Sequence, residues 1–134
     1  MTTQISYTGL IIEDDLDCAF CLGLLLRTLH IAPLITYSTT QALKILSDDT
    51  PIHFILCDLR FSNSDKDGFF FLQKYKQLFK SRVPVIVTSG VKDLALIKEA
   101  FLLGAQEYLI KPIELELLEE LLTKFGFISP SRTP

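Results

Sequence analysis

The chain has 134 residues, 49% of them hydrophobic, and a mean hydropathy of +0.34, which indicates one domain with a buried core rather than a disordered segment. No apolar run is long enough to span a bilayer, and the N-terminus lacks the pattern of a signal peptide. The net charge of −3 and a pI near 5.3, without a basic cluster, argue against nucleic acid as a direct ligand, and a cytoplasmic location is expected.

Strand patterns alternate with helix patterns along the chain. We predict strands at about 8–12, 34–37, 52–57, 83–88 and 107–110. We predict helices at about 16–29, 69–80, 92–103 and 114–125, and a further helix that starts at the capping box 38–41. Gly104 and Gly126 end the helices 92–103 and 114–125. Five such pairs indicate an α/β fold with helices on both faces of a parallel sheet. Right-handed crossovers favour the flavodoxin-like doubly wound order 2-1-3-4-5.

The pattern predicts a single domain over 1–134, with a core at about 8–126 and a tail or linker start at 127–134. The first helix carries an apolar stripe of Leu16, Phe20 and Leu24 beside Cys21, Leu25 and Thr28. Three cysteines, an odd number, indicate reduced thiols. Cys18 and Cys21 lie well inside the helical pattern, and the chain has no second cysteine pair, so we predict core helix positions rather than a redox or zinc site.

Acidic residues follow two of the predicted strands. Asp58 ends the apolar run 52–57, and Glu13 and Asp14 follow the first strand. The carboxyl ends of the first and third strands meet at the switch point of this topology, where open parallel sheets bind ligands. Converging carboxylates repel one another, and a hard cation such as Mg²⁺ offsets that repulsion. The sequence therefore predicts a magnesium site with Asp58 as the nucleophile for a phosphoryl group.

Other polar residues follow the fourth and fifth strands. Lys111 supplies a fixed positive charge, and Ser89 or Thr88 supplies a hydroxyl donor. We expect Gly90 to allow close backbone approach and the Lys111–Pro112 bond to be a candidate cis peptide. Each motif alone also fits an ordinary turn or helix start. Their joint placement after predicted strands favours a site.

Taken together, these motifs resemble the receiver domain of two-component response regulators from about Leu10 to Phe125. The matching positions are the acid pair Glu13–Asp14, the phosphoacceptor position Asp58, the switch hydroxyl Ser89 followed by Gly90, the switch aromatic Tyr108, and Lys111–Pro112.

The resemblance implies a function. Asp58 would accept a phosphoryl group from a phosphohistidine on a sensor histidine kinase or a histidine phosphotransfer protein. Ser89 and Lys111 would move towards that group and Tyr108 would turn inward. The face formed by the fourth helix, fifth strand and fifth helix would then change for a downstream protein target or a homodimer. The metal ligands would be Glu13, Asp14, Asp58 and the main-chain carbonyl of Arg60.

The loop 59–68 departs from the family pattern, because it lacks a proline and looks a residue or two longer. A degenerate receiver that binds partners unphosphorylated is the main alternative function, and a fragment of a larger regulator is the alternative organisation. An aspartate-nucleophile phosphatase would need an acid where Arg60 stands. A flavin-binding module would place phosphate beside Glu13 and Asp14, which would repel it. We expect no enzyme activity beyond self-catalysed phosphorylation and dephosphorylation.

Overall fold

The computed structural model describes residues 6–61 and 67–130, and within them every predicted strand and helix is found. The strands are β1 (Thr8–Ile12), β2 (Ala32–Thr36), β3 (Phe54–Cys57), β4 (Val85–Ser89) and β5 (Glu107–Ile110). The helices are α1 (Leu16–Thr28), α2 (Thr39–Ser47), α3 (Gly68–Phe79), α4 (Leu94–Leu102) and α5 (Leu115–Lys124).

The five strands are parallel and lie in the order β2-β1-β3-β4-β5, which confirms the predicted topology. Most element ends differ from the prediction by one or two residues, for identifiable reasons. The pairing of β4 begins only at Val85, since Pro84 has no N–H to donate. Helix α4 begins at Leu94 because the side chain of Asp93 caps it, accepting hydrogen bonds from the backbone N–H groups of Ala95 and Leu96.

The capping box before α2 is present in a modified form. The Ser38 side chain accepts a hydrogen bond from the Gln41 N–H at 3.1 Å, as the sequence predicts. The Gln41 side chain reaches back to the N–H of Tyr37, one residue before the cap, at 2.9 Å. Gly104 and Gly126 have φ of 111° and 89°, so both act as the predicted helix stops in a conformation that favours glycine.

The core forms two layers, one on each face of the sheet. Helices α1 and α5 cover one face, where they pack on Ile11, Leu56 and Ile86. Helices α2, α3 and α4 cover the other face, where Leu10 and Ile55 lie. Alternate residues of each central strand thus enter opposite layers, as expected for strands buried on both faces.

Helix α1 packs through a different stripe from the one the sequence suggested. Leu16, Phe20 and Leu24 are exposed, the first two by 67% and 63%. The buried stripe consists instead of Ala19, Leu22, Gly23 and Leu26. Small residues allow the helix to lie close to β2: a Cβ at Gly23 would come within 3.2 Å of Ile35 Cδ1. Because α1 is apolar around most of its circumference, hydrophobic spacing alone did not identify the packed side.

The cysteine prediction is correct for the helix and wrong for the burial. Cys18 is half-buried and Cys21 is exposed, so neither is a core residue, because both lie outside the packed stripe of α1. All three cysteines of the chain are free thiols, and Cys57 alone is buried.

Packing continues past the predicted end of the core. Phe127 donates its N–H to the Leu122 carbonyl at 2.9 Å, and Phe127 and Ile128 pack on the layer beneath α1 and α5. The rest of the predicted tail extends into 131–134, and the loop prediction falls largely on 62–66, both outside the described residues. Within the described ranges, no helix has the length and apolar character to cross a membrane.

Candidate functional site

The acids after β1 divide between two tasks. Glu13 continues the sheet, donating its N–H to the Thr36 carbonyl at 3.0 Å, and only 1% of its surface is exposed. Asp15 is exposed and caps α1, accepting the Cys18 N–H at 2.9 Å. The helix-start interpretation therefore holds for Asp15, while Glu13 is a buried carboxylate that helix capping does not explain.

Asp58 lies one residue beyond β3, beside Glu13. Its N–H donates to the Ile12 carbonyl at 3.1 Å, and its side chain is almost completely buried. The carboxylate oxygen Oδ1 accepts the N–H of Leu59 at 2.8 Å, which orients the group. Oδ2 has a different partner, Lys111, so the two oxygens of this carboxylate have distinct surroundings.

Glu13, Asp14 and Asp58 converge at the carboxyl edge of the sheet, as the sequence predicts. Each offers one oxygen, and these ligand atoms lie within 4.8 Å of one another. Three acids so close repel one another unless a cation offsets their charge. An all-oxygen set with one partly exposed member suits Mg²⁺, which retains waters and takes few protein carboxylates. The residues present therefore fit a magnesium ion.

Lys111 brings a positive charge to the same carboxylates. Its ammonium donates hydrogen bonds to Glu13 Oε1 and to Asp58 Oδ2, the latter at 3.2 Å. Its backbone is fixed by an N–H hydrogen bond to the Ser89 carbonyl at 2.9 Å. The Lys111–Pro112 peptide is cis, which confirms that prediction.

Burial and neighbouring charges shift the titration of this cluster. Burial raises the pKa of Glu13 from 4.5 to about 7; the hydrogen bond from Lys111 opposes this rise and the charge of Asp58 adds to it. Burial lowers the pKa of Lys111, but the Glu13 hydrogen bond and the Asp58 charge outweigh it and raise that pKa above its ordinary value. Lys111 is therefore a cation at neutral pH, whereas the Glu13 carboxyl changes its protonation near neutral pH.

The hydroxyl residues at the end of β4 differ in their bonding. Ser89 is buried, and its Oγ accepts the Val91 N–H at 3.2 Å. Thr88 is completely buried, and its Oγ1 has no hydrogen-bond partner among the described residues. A Cβ added at Gly90 would meet nothing within 4 Å, so the expected close backbone approach is not found there.

Tyr108 and Arg60 lie at the margins of the cluster. The Tyr108 hydroxyl donates to the Val91 carbonyl at 2.7 Å, which connects β5 to the residues following Ser89. Its pKa is raised, chiefly by burial. Arg60 is exposed at the start of the loop after Asp58, two positions beyond it, where a phosphatase of the alternative class would need an acid.

An open apolar groove of about 660 Å³ lies between α1 and the segment after β5. Its lining includes Cys18, Cys21, Leu24, Lys111 and Ile113. The sequence did not predict this groove, because α1 has apolar residues on both sides and their spacing does not distinguish the exposed side from the packed side.

The family model for the response regulator receiver domain matches residues 10–123, which is most of the chain. The chain belongs to the response regulator receiver domain family. Receiver relatives among curated proteins include the transcriptional regulatory protein ZraR of Salmonella typhimurium, 30% identical over 115 residues, which are 86% of this chain and 25% of ZraR. An NtrX-like response regulator of Rickettsia bellii is also 30% identical, over 86% of this chain and 24% of its own length. The chain thus spans about a quarter of these relatives.

Solved receiver structures share the fold. A response regulator receiver protein from Pseudomonas putida aligns with a TM-score of 0.81 at 23% identity, covering 91% of this chain and 99% of that one. A two-component response regulator from Clostridium difficile aligns at 0.79 and 25% identity, covering 94% and 100%. The predicted family and flavodoxin-like fold are therefore confirmed, and the chain is the receiver domain of a two-component response regulator.

Proposed function

We propose that this receiver is phosphorylated on Asp58 and works as a switch for protein partners. The observation that carries the proposal is the convergence of Asp58 with Glu13, Asp14 and Lys111 at the carboxyl edge of the sheet. A degenerate receiver has no need of three converging acids and a lysine, whose burial lowers stability. We also propose that the described residues act as one receiver unit, in the cytoplasm.

The chemical step transfers a phosphoryl group from a histidine nitrogen to an oxygen of Asp58. An Asp58 carboxylate oxygen attacks phosphorus, the P–N bond of the phosphohistidine breaks, and the imidazole leaves with the bonding electron pair. Lys111 offers its ammonium to the phosphoryl oxygens, and Ser89 offers its hydroxyl. Glu13, Asp14, Asp58 and the Arg60 carbonyl would hold Mg²⁺, which neutralises charge on the carboxylates and the phosphoryl group. The donor is a sensor histidine kinase or a histidine phosphotransfer protein.

The switch would pass from Ser89 to the face formed by α4, β5 and α5. Ser89 accepts the Val91 N–H, and the Val91 carbonyl accepts the Tyr108 hydroxyl, so a moving Ser89 would disturb Tyr108. Apolar side chains are exposed on these elements, which supports a downstream protein target or a homodimer there. They are Leu94, Phe101, Leu102, Ile110 and Leu117.

The first test is modification by acetyl phosphate in Mg²⁺, measured by intact mass. Wild type should gain one phosphoryl group, and Asp58→Asn should gain none, because the amide is not a nucleophile for phosphorus. Labelling that persists in Asp58→Asn would contradict the assignment. No labelling of wild type, together with no response to beryllofluoride and Mg²⁺, would instead favour the degenerate receiver.

A second test concerns Lys111. Lys111→Ala should remain folded. It should lose most of the change that beryllofluoride induces in the hydrogen exchange of α4, β5 and α5, because it lacks the ammonium that would bond to the phosphoryl oxygens. Lys124→Ala is a matched control, since Lys124 forms a surface ion pair with Glu107 at 2.6 Å. An undiminished response in Lys111→Ala would contradict the role of this lysine.

A further inference from the structure

One polar group at the site has no role in the scheme above. Thr88 is 0% exposed, and none of the described residues gives its Oγ1 a hydrogen bond. A buried hydroxyl without a partner costs free energy that valine, with the same shape, would avoid. Among the described residues, the hydroxyl therefore makes no hydrogen bond that would stabilise the unmodified protein.

The register of the sheet places Thr88 beside the phosphorylation site. Cys57 pairs with Val87 and also with Ile12, so one position further Glu13, Asp58 and Thr88 form a row across β1, β3 and β4. Side chains at one level of a parallel sheet share a face. Continued by one position, the register thus places Thr88 on the same face as the two buried carboxylates, on the strand next to the one that Asp58 follows.

The side chain of Lys111 extends over the end of β4. Lys111 follows β5, yet its ammonium bonds to Asp58, just after β3, and to Glu13, just after β1, and β4 lies between β5 and β3. Thr88 pairs with Leu109, two residues before Lys111, so the lysine projects from the same face of the sheet. The unpartnered hydroxyl therefore lies next to the path of the lysine.

We propose that the Thr88 hydroxyl is a positioning group for Lys111 in the phosphorylated state. This inference rests on the proposed function. In the unmodified protein, Glu13 and Asp58 take two of the three ammonium donors. With Glu13 holding the metal and Asp58 carrying the phosphoryl group, Lys111 would no longer bond to Glu13. The Thr88 oxygen then accepts a hydrogen bond from the ammonium while the ammonium donates to the phosphoryl oxygens.

The experiment compares Thr88→Val with Thr88→Ser, using beryllofluoride and Mg²⁺ as the phosphoryl mimic. Thr88→Val should melt at or above the wild-type temperature, because it removes an unpartnered hydroxyl. It should nevertheless need about tenfold more beryllofluoride for half-saturation, because a hydrogen bond to a charged group is lost only in the bound state. Thr88→Ser should restore the wild-type concentration. A purely structural residue would not separate these two measurements.

Several outcomes would overturn the inference. Thr88→Val that saturates at the wild-type concentration would show that Lys111 does not use the hydroxyl. Thr88→Val that melts well below wild type would show that the hydroxyl already has a partner in the unmodified protein. Failure of Thr88→Ser to restore saturation would assign the effect to the methyl group. These results differ from a failure of the proposed function, in which wild type itself would not respond to beryllofluoride.

Discussion

The two edges of the sheet are built from opposite kinds of side chain. At the carboxyl edge, buried Glu13 and Asp58 meet Lys111. At the amino edge, aromatic rings close the core: Phe127 contacts Tyr7 with ring centroids 5.1 Å apart, and Tyr7 contacts the His53 ring at 5.0 Å. Burying charge costs free energy, whereas burying aromatic surface supplies it. The amino edge therefore stabilises the fold, whereas the buried charges at the carboxyl edge lower its stability.

The largest expected loss of stability comes from overpacking at the carboxyl edge, where Gly68 lies against the backbone of Asp58 and Leu59. A Cβ at Gly68 would lie 1.9 Å from the Asp58 carbonyl oxygen and 2.7 Å from Leu59 Cα, so backbone would have to move. We expect Gly68→Ala to lose about 3 kcal/mol of unfolding free energy in urea, the upper range for an overpacked site. Its phosphorylation by acetyl phosphate should also slow, because α3 begins against Asp58.

Gly90→Ala is the matched control for this substitution. Gly90 also lies near the site, but its added Cβ would meet no atom within 4 Å. We expect a change below about 0.5 kcal/mol in the same urea measurement. Equal losses of unfolding free energy in the two variants would show that the carboxyl edge tolerates no added methyl group. The loss in Gly68→Ala would then not be specific to the contact of Gly68 with Asp58.

The next effect sharpens the comparison from the amino edge. Phe127→Ala removes ring contacts with Tyr7 and Phe54 from a half-buried position, which should cost about 2 kcal/mol of unfolding free energy. The Mg²⁺ concentration that half-saturates the protein should stay at the wild-type value, because the proposed ligands lie at the opposite edge. A Mg²⁺ titration that shifts with Phe127→Ala would show that the two edges are coupled.

The same contrast explains what the sequence could predict. Buried strands followed by acids are a local signal, so the positions of Glu13, Asp14 and Asp58 followed from the order of elements and the rule for parallel sheets. The Lys111–Pro112 cis peptide was similarly a property of two adjacent residues. In each case, the predicted feature depended on short-range pattern plus a common topology.

Features that depend on side-chain competition were harder to predict. Helix α1 has apolar residues on most sides, and the close fit of Gly23 to Ile35 decides which side packs. Phe127 joins the core through ring contacts with Tyr7, His53 and Phe54, which are distant from it in the sequence. That no described residue hydrogen-bonds to the Thr88 hydroxyl is likewise a property of the folded arrangement, because the sequence shows a hydroxyl but not its neighbours.

The smallest effect concerns pH and the metal at the carboxyl edge. The pKa of Glu13 is raised from 4.5 to about 7, so between these values the folded protein binds more protons than the unfolded chain. Without Mg²⁺, the free energy of unfolding should therefore fall as pH rises through this range. Mg²⁺ requires the ionised carboxylate, so its binding should strengthen over the same interval.

We expect half-saturation of wild type to need up to about tenfold more Mg²⁺ at pH 6 than at pH 8, since roughly nine-tenths of Glu13 is protonated at the lower pH. Titration calorimetry at both values measures this ratio. Glu13→Gln should bind Mg²⁺ more weakly, with a ratio near one. Asp15→Asn should keep the wild-type ratio, because the pKa of Asp15 is lowered, chiefly by the Cys18 backbone hydrogen bond. A pH-independent wild type would mean that Glu13 does not ligate the ion, so its burial would serve the pairing with Lys111 alone.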